Sequence, residues 1–290
     1  MTIRDLYRQK KPVFSLEVFP PKKENSDDIE ALYGAFERLE NLAPDFISVT
    51  CGAGGTGGKS QTVDIADRLQ NRHGILSLAH LTCVAATRAD VQNELADMHR
   101  RGIGNVLALR GDIPQGSQLS ASPDYRYAED LIRGLRASSK DLCIGAACYP
   151  EGHIDCDDLA TGIAHLRRKQ DAGADFFITQ LFFDNEVFYR FLDCARASGI
   201  TLPISAGIMP ILSRAQIERI IFMCGASLPA HIIRLLHKYE NSPRALRAAG
   251  IAYTAEQARA LAEHGVDGVH IYTMNRPEIA EACARALGKA

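Results

Sequence analysis

Eight apolar runs of strand length, starting at Val13, Phe46, Leu76, Asn105, Cys143, Phe176, Pro203 and Gly268, punctuate this 290-residue chain. Their starts lie 27 to 38 residues apart until a final gap of 65. That interval holds one strand, one helix and two short loops, the unit from which a parallel sheet with crossover helices is built. The runs are nearly continuous in Val, Ile, Leu, Phe and Ala, as strands must be when both faces of the sheet are covered. Between them, Ile29, Leu32, Phe36 and Leu39 share a helical face after Ser26-Asp27-Asp28, and Leu159, Ile163 and Leu166 do so after Asp157-Asp158. The pattern predicts an α/β fold, a single-domain (β/α)8 TIM barrel over residues 1–290. Extra helices are expected between strands 7 and 8, near 213–224 and 229–238, before a helix at 254–264. A doubly wound open sheet has the same alternation and is the architectural alternative.

In a parallel barrel the C-terminal ends of all the strands meet at one mouth, where chemistry is carried out. Glu17, Thr50, His80, Arg110 with Asp112, Tyr149, Gln180 and Arg276 all lie in or just after these runs. Glu17 sits among Phe14, Leu16, Val18 and Phe19, so burial is expected to raise its pKa and suit it to proton donation; a structural salt bridge with a barrel arginine is the plainer reading. Asp112 follows Arg110-Gly111, where glycine permits a tight turn and the carboxylate either faces a ligand or caps the loop.

Composition narrows the alternatives. A formal charge of −2 gives no electrostatic case for nucleic acid or an anionic membrane. No signal-peptide core or membrane span is legible, so a soluble cytoplasmic protein is expected. Eight cysteines without a secretory signal read as reduced thiols. Cys148, His153 and Cys156 lack the paired spacing of a zinc site, and no metal is expected. Ala53 to Ser60 fits a phosphate-binding loop if alanine is allowed at its first position, which keeps a nucleotide triphosphatase as an alternative. It follows the second strand, though, and lacks an evident magnesium-binding aspartate unless Asp112 or Asp184 serves. No lysine stands at a strand end, which disfavours a Schiff-base aldolase.

Short motifs in order along the chain sharpen the assignment: Ser15 to Pro21, Ser48-Val49-Thr50 with its glycine loop, His80 to Cys83, Leu109 to Asp112, Tyr149-Pro150-Glu151 with His153, Arg168-Lys169, Ile178-Thr179-Gln180 with Phe182-Phe183-Asp184, Gly207 to Pro210, and Tyr272 to Arg276. Nearly end to end, the chain resembles the short bacterial methylenetetrahydrofolate reductases. The resemblance implies FAD as cofactor, NADH or NADPH as co-substrate and ping-pong reduction of 5,10-methylenetetrahydrofolate to 5-methyltetrahydrofolate, in one-carbon metabolism and methionine biosynthesis. It also implies a homo-oligomer without an appended regulatory domain. A non-catalytic flavin- or folate-binding barrel is the competing reading, and the pairing of Glu17 with Asp112 favours catalysis.

By the same resemblance Glu17 and Asp112 are catalytic. Glu17 opens the folate ring by protonating a nitrogen, and Asp112 tunes the flavin and attracts the cationic folate intermediate. Thr50, His80, Arg110, Gly111, Asp112, Tyr149 and His153 are implied flavin or ribityl contacts, Tyr127 an adenine contact, and His165, Arg168 and Lys169 ribose and phosphate contacts. Gln180, Phe182, Tyr272 and Arg276, with Glu17, are implied substrate contacts; Phe182 fits core packing equally well. The chain departs from some relatives at Gly162 and His165, where they have Asp and Asn, and at Arg214, where they have an aromatic residue. Arg214 leaves NADH versus NADPH open.

Overall fold

The computed structural model describes residues 1–21, 26–51, 59–111, 124–156 and 158–289. Eight strands, β1 (Val13–Val18), β2 (Phe46–Val49), β3 (Ser77–Thr82), β4 (Asn105–Leu109), β5 (Cys143–Cys148), β6 (Phe176–Thr179), β7 (Ile204–Ile208) and β8 (Gly268–Tyr272), pair in sequence order. All pairs are parallel, and β8 returns to β1, so the sheet closes into a barrel and the open-sheet alternative falls away. The helices are α1 (Ile3–Gln9), α2 (Ser26–Glu40), α3 (Lys59–Arg72), α4 (Arg88–Arg100), α5 (Ala128–Ser138), α6 (Leu159–Asp171), α7 (Asn185–Ala197), α8 (Arg214–Cys224), α9 (Ala230–Lys238), α10 (Pro243–Glu263) and α11 (Pro277–Ala286). The extra helices between β7 and β8 match the sequence expectation in α8 and α9. The last one does not: α10 starts at Pro243, about a decade of residues before 254, because proline at its first turn suits a helix start and the helix runs on through Gly250, which is buried in it.

Two apolar layers hold the barrel. The larger lies between the outer face of the sheet and the helices, where Leu16, Val18, Ile47, Val106, Ile144, Phe177 and Ile271 are buried. The second fills the inside of the barrel at its N-terminal end with Val13, Phe46, Leu78, Leu107, Cys143 and Phe176. Gly145 makes room there, since a Cβ at that position would stand 2.5 Å from the Phe176 ring. Helix α1 plugs this end with Ile3, Leu6 and Tyr7, whose hydroxyl shares a 2.7 Å hydrogen bond with Ser205 on β7. The hydrophobic spacing of the sequence did not reveal α1, which is only seven residues long.

Three aspartates lash the N-terminal ends of the strands together. Asp45, Asp175 and Asp267 each precede a strand and accept the backbone N–H of its neighbour: Phe14 at 2.7 Å, Ile144 at 2.8 Å and Ile204 at 2.9 Å. Each also meets a cation from the first eleven residues, Lys10, Arg4 and Lys11 in turn. Arg136 and Arg196 complete the pairs at Asp175 and Asp267. Removing such a carboxylate leaves a buried N–H unsatisfied and cations unpaired. Asp267→Ala is therefore expected to lower unfolding free energy by about 2–3 kcal/mol in urea denaturation. Glu218→Ala, which breaks only the exposed pair with Arg214, is expected to leave the midpoint unchanged.

Candidate active site

At the opposite end the interior turns polar. Glu17 on β1 lies in register with Ser48 on β2 and Tyr272 on β8, and Ser15 lies in register with His270. The Glu17 carboxylate is 5% exposed. Its Oε2 accepts the Ser48 hydroxyl at 3.0 Å and lies 3.3 Å from Nε2 of both His80 and His270. Burial by itself would raise the Glu17 pKa, but the histidines at its oxygen outweigh that and hold the carboxyl well below the usual carboxylate range. Here the structure corrects the sequence expectation of a raised pKa. Its partners are two histidines and no arginine, and the sequence placed them 63 and 253 residues away.

The strand ends beyond Glu17 are tied down. The Glu17 carbonyl accepts the Thr273 hydroxyl at 2.6 Å, while Asn275 and the Phe19 backbone exchange hydrogen bonds of 2.8 and 2.7 Å. Met274 and Asn275 both adopt φ of 54°, a left-handed turn that asparagine tolerates better than most residues. Tyr272 is half-buried and donates its hydroxyl to the Thr179 carbonyl at 2.7 Å. Burial and then the nearby Glu17 raise its pKa well above 10, and its ring meets His270 edge-on at 5.3 Å.

On that side opens a cavity of about 240 Å³, lined by Arg110, Tyr127, Tyr149, His153, His165, Arg168 and Lys169 together with Asp155, Cys156 and Gly162. Seven residues expected from the sequence to meet a cofactor thus share one hollow between the ends of β4 and β5 and helices α5 and α6. Lys169 donates to the Ala147 carbonyl at 2.8 Å and lies 5.7 Å from the centre of the Tyr149 ring; burial lowers its pKa. His165 is lowered by burial and then by Arg168 and Lys169. Arg168 pairs with Glu129, and Arg110 with Asp155. Clustered cations beside two tyrosines suit a ligand carrying phosphates and flat rings. A Cβ at Gly162 would meet nothing within 4 Å, so this departure from some relatives leaves space rather than a clash.

The remaining expected residues fall around the rim. Thr50 follows β2 and His80 faces Glu17, so neither lines the cavity. Gly111 has φ of 85°, and a Cβ there would stand 2.8 Å from Val84, so glycine is required. Gln180 is half-buried, with its Oε1 accepting the Leu181 N–H at 3.0 Å. Arg276 opens α11 near Glu278. Phe182 is a correction: it is fully buried, stacked on Phe188 at 5.3 Å within the outer core, and presents no face to a substrate. Arg214 is exposed and paired with Glu218. Asp112 and Gly52–Gly58 of the glycine loop lie outside the described residues. Cys148 is buried and its thiol pushed up to about 12, a poor start for zinc binding, and among the described residues no group of three His, Cys, Asp or Glu is arranged to hold a metal. No helix among them is long and apolar enough to cross a membrane.

Sequence reasoning missed Ser15, Ser48 and His270, which surround the Glu17 carboxylate, and Asn275, which clamps the β1 and β8 ends. The signal was present as alternation: Ser15 and Glu17 are two apart in an apolar strand, as are His270 and Tyr272, which puts each pair on one face.

A family model described as methylenetetrahydrofolate reductase matches residues 2–288. The chain belongs to the methylenetetrahydrofolate reductase family. A relative named methylenetetrahydrofolate reductase (NADH) 1 from Arabidopsis thaliana is 35% identical over 99% of this chain and 50% of its own length. The chain spans about half the length of the plant and fission yeast relatives it matches. Bacterial relatives named 5,10-methylenetetrahydrofolate reductase are nearer in length: the one from Pectobacterium carotovorum is 35% identical over 94% of this chain and 89% of its own, and that of Escherichia coli 34% over 94% and 90%. Among solved structures, an uncharacterised Clostridium thermocellum protein that binds two copies of 5-methyl-5,6,7,8-tetrahydrofolic acid superposes with a TM-score of 0.66 at 16% identity, covering 98% of this chain and 96% of that one, which supports the barrel fold. Family membership leaves the triphosphatase and aldolase readings without support. Within this member of the methylenetetrahydrofolate reductase family, Gly111→Ala is expected to cost about 1–3 kcal/mol in thermal unfolding from its left-handed backbone and close approach to Val84. Gly162→Ala, in an open helical position, is expected to gain roughly 0.5–1 kcal/mol.

Proposed function

We propose that the protein reduces 5,10-methylenetetrahydrofolate to 5-methyltetrahydrofolate, using FAD and NADH or NADPH in a ping-pong sequence. The observation that carries this reading is the pairing, at one barrel mouth, of a buried carboxylate at Glu17 with a hollow lined by cations and tyrosines. The donor set fits FAD: Lys169, Arg168 and His165 face one stretch of the hollow and suit a diphosphate, while Tyr127 suits the adenine and Tyr149, His153 and Arg110 the ring and ribityl chain. When bound, the flavin supplies a hydride carrier that accepts from the nicotinamide and gives to the folate.

The residues of this chain do the rest. Glu17 passes a proton to a ring nitrogen of the folate; the carbon–nitrogen bond then breaks with its electron pair going to that nitrogen, leaving an iminium carbon able to accept hydride. Gln180, Tyr272 and Arg276 orient the substrate, with Gln180 keeping its amide NH2 for a substrate acceptor while its oxygen is held by Leu181. Arg276, at the rim, suits the glutamate carboxylates. Thr50 and His80 complete the flavin side, and Asp112, by sequence, supplies negative charge that makes the reduced flavin a better donor. In this reading the protein works as a homo-oligomer in the cytoplasm and feeds methionine biosynthesis.

Purified protein is expected to be yellow, to bleach anaerobically with NADH or NADPH and to regain colour with methylenetetrahydrofolate; a colourless protein that ignores added FAD overturns the reading. Glu17→Gln is expected to slow folate-driven reoxidation by about a hundredfold or more in stopped-flow measurements while bleaching by nicotinamide stays within about twofold. Lys169→Met, which removes a charged donor from the hollow, is expected to weaken FAD binding by about ten- to a hundredfold in equilibrium titration.

A further inference from the structure

The turn from Gln180 to Asp184 carries the chain from β6 to α7 at the mouth of the barrel. Outside strand and helix, backbone carbonyls have no ladder to join, and leaving one buried without a partner is costly. Side chains from later in the chain supply the partners. At the start of the turn Tyr272 donates to the Thr179 carbonyl at 2.7 Å. Further on, Gln257 on α10 donates its Nε2 to the Phe182 carbonyl at 3.2 Å, and Tyr253 donates its hydroxyl to the Phe183 carbonyl. In the other direction Asn185, the first residue of α7, donates to the Gln257 carbonyl at 3.3 Å. Tyr253 and Gln257 stand four residues apart on α10 and so share one of its faces.

Tyr253 is held from behind. Its one hydroxyl hydrogen goes to Phe183, so the 2.8 Å contact with His231 on α9 runs from His231 Nε2–H to the phenol oxygen. Nε2 bears that hydrogen in the imidazolium and in one of the two neutral tautomers, so the bond needs no particular charge on the ring. Helix α10 lies so close to the end of β7 that a Cβ at Gly250 would strike the Ile211 carbonyl, and Leu246, Ala258 and Leu261 are buried along it.

We propose that Tyr253 and Gln257 are positioning residues for Gln180, with His231 supporting Tyr253. This rests on the role of Gln180 in the folate reduction proposed above. Peptide units on both sides of the Gln180 side chain are pinned. The 179–180 unit is held at its carbonyl by Tyr272 and at its N–H by the Cys148 carbonyl at 2.7 Å; the 182–183 and 183–184 units are held by α10. Between them lies the Leu181 N–H, which at 3.0 Å fixes Gln180 Oε1 and so decides where the amide NH2 points. None of these side chains lines the hollow on the β4 and β5 side, so the brace acts on the substrate and not on FAD.

The test is a double-mutant cycle on the holoenzyme with methylenetetrahydrofolate as the varied substrate, read beside hydrogen exchange of the 180–184 segment. Tyr253→Phe keeps the ring and removes only the hydroxyl. It is expected to raise KM for methylenetetrahydrofolate about three- to tenfold with kcat and FAD affinity within about twofold, and to speed exchange at Leu181 about tenfold. In a Gln180→Ala background the same substitution is expected to change KM by less than about twofold, because no side chain is left to orient. His231→Ala, on the exposed side of the network, is expected to give a smaller rise in KM that also vanishes in Gln180→Ala, and it keeps the test open if Tyr253→Phe does not fold. Equal effects in both backgrounds, which a merely structural role would give, overturn the proposal, as does a Gln180→Ala enzyme with wild-type KM. If wild-type flavin is reduced by nicotinamide and never reoxidised by methylenetetrahydrofolate, the folate reading fails; exchange at Leu181 still decides the brace, and an unchanged rate in Tyr253→Phe overturns it.

Discussion

Parallel pairing of β1 with β8 is the contact on which the site depends. It joins residues some 255 positions apart and sets Ser15 against His270 and Glu17 against Tyr272. Without that closure Glu17 would be a carboxylate on an edge strand, paired with water. With it, the carboxylate is taken from solvent, a loss offset by hydrogen bonds with Ser48 on β2 and His270 on β8, while His80 on β3 lies 3.3 Å away. Burying a carboxylate is costly, and the groups that offset the cost here come from strands distant in sequence.

The two ends of the barrel solve opposite problems. At the N-terminal end, stability is concentrated: α1 plugs the interior, Gly145 admits the Phe176 ring, and Asp45, Asp175 and Asp267 couple strand ends to cations near the start of the chain. At the C-terminal end the same inward-facing positions carry serine, glutamate, histidine and tyrosine, which weaken packing and create a polar surface. That division allows a site rich in buried polar groups to sit on a scaffold held rigid elsewhere. The mouth is itself divided. Glu17 and its histidines lie on the β1, β3 and β8 side and the cation-lined hollow on the β4 and β5 side, while Tyr272 on β8 bonds across to Thr179 on β6.

Legibility followed the range of the interaction. The runs from Val13 to Tyr272 announced a parallel sheet because burial on both faces forces continuous apolar sequence, and the resemblance pointed to His165, Arg168 and Lys169, which α6 carries. Six of the seven expected cofactor residues in the hollow come after the ends of β4 and β5 or ride α6, and Tyr127 joins them from the start of α5. Phe182 misled, since an aromatic just past a strand can turn outward to the helices, as it does against Phe188. The plug helix α1 escaped notice because seven residues carry little periodicity and their stability is tertiary.

Taken alone, the amino-acid order determined that strands and helices alternate, that the strands are buried on both sides, and that polar residues cluster at their C-terminal ends, because each of these is written in local spacing and hydrophobicity. Only the folded barrel decided which groups act on the Glu17 carboxyl, whose pKa they hold down where burial alone would raise it. Its charge state depends on which side chains arrive from distant strands, and His80 and His270 are brought to it by ring closure, a constraint that acts on the whole chain and leaves no mark in the residues beside Glu17.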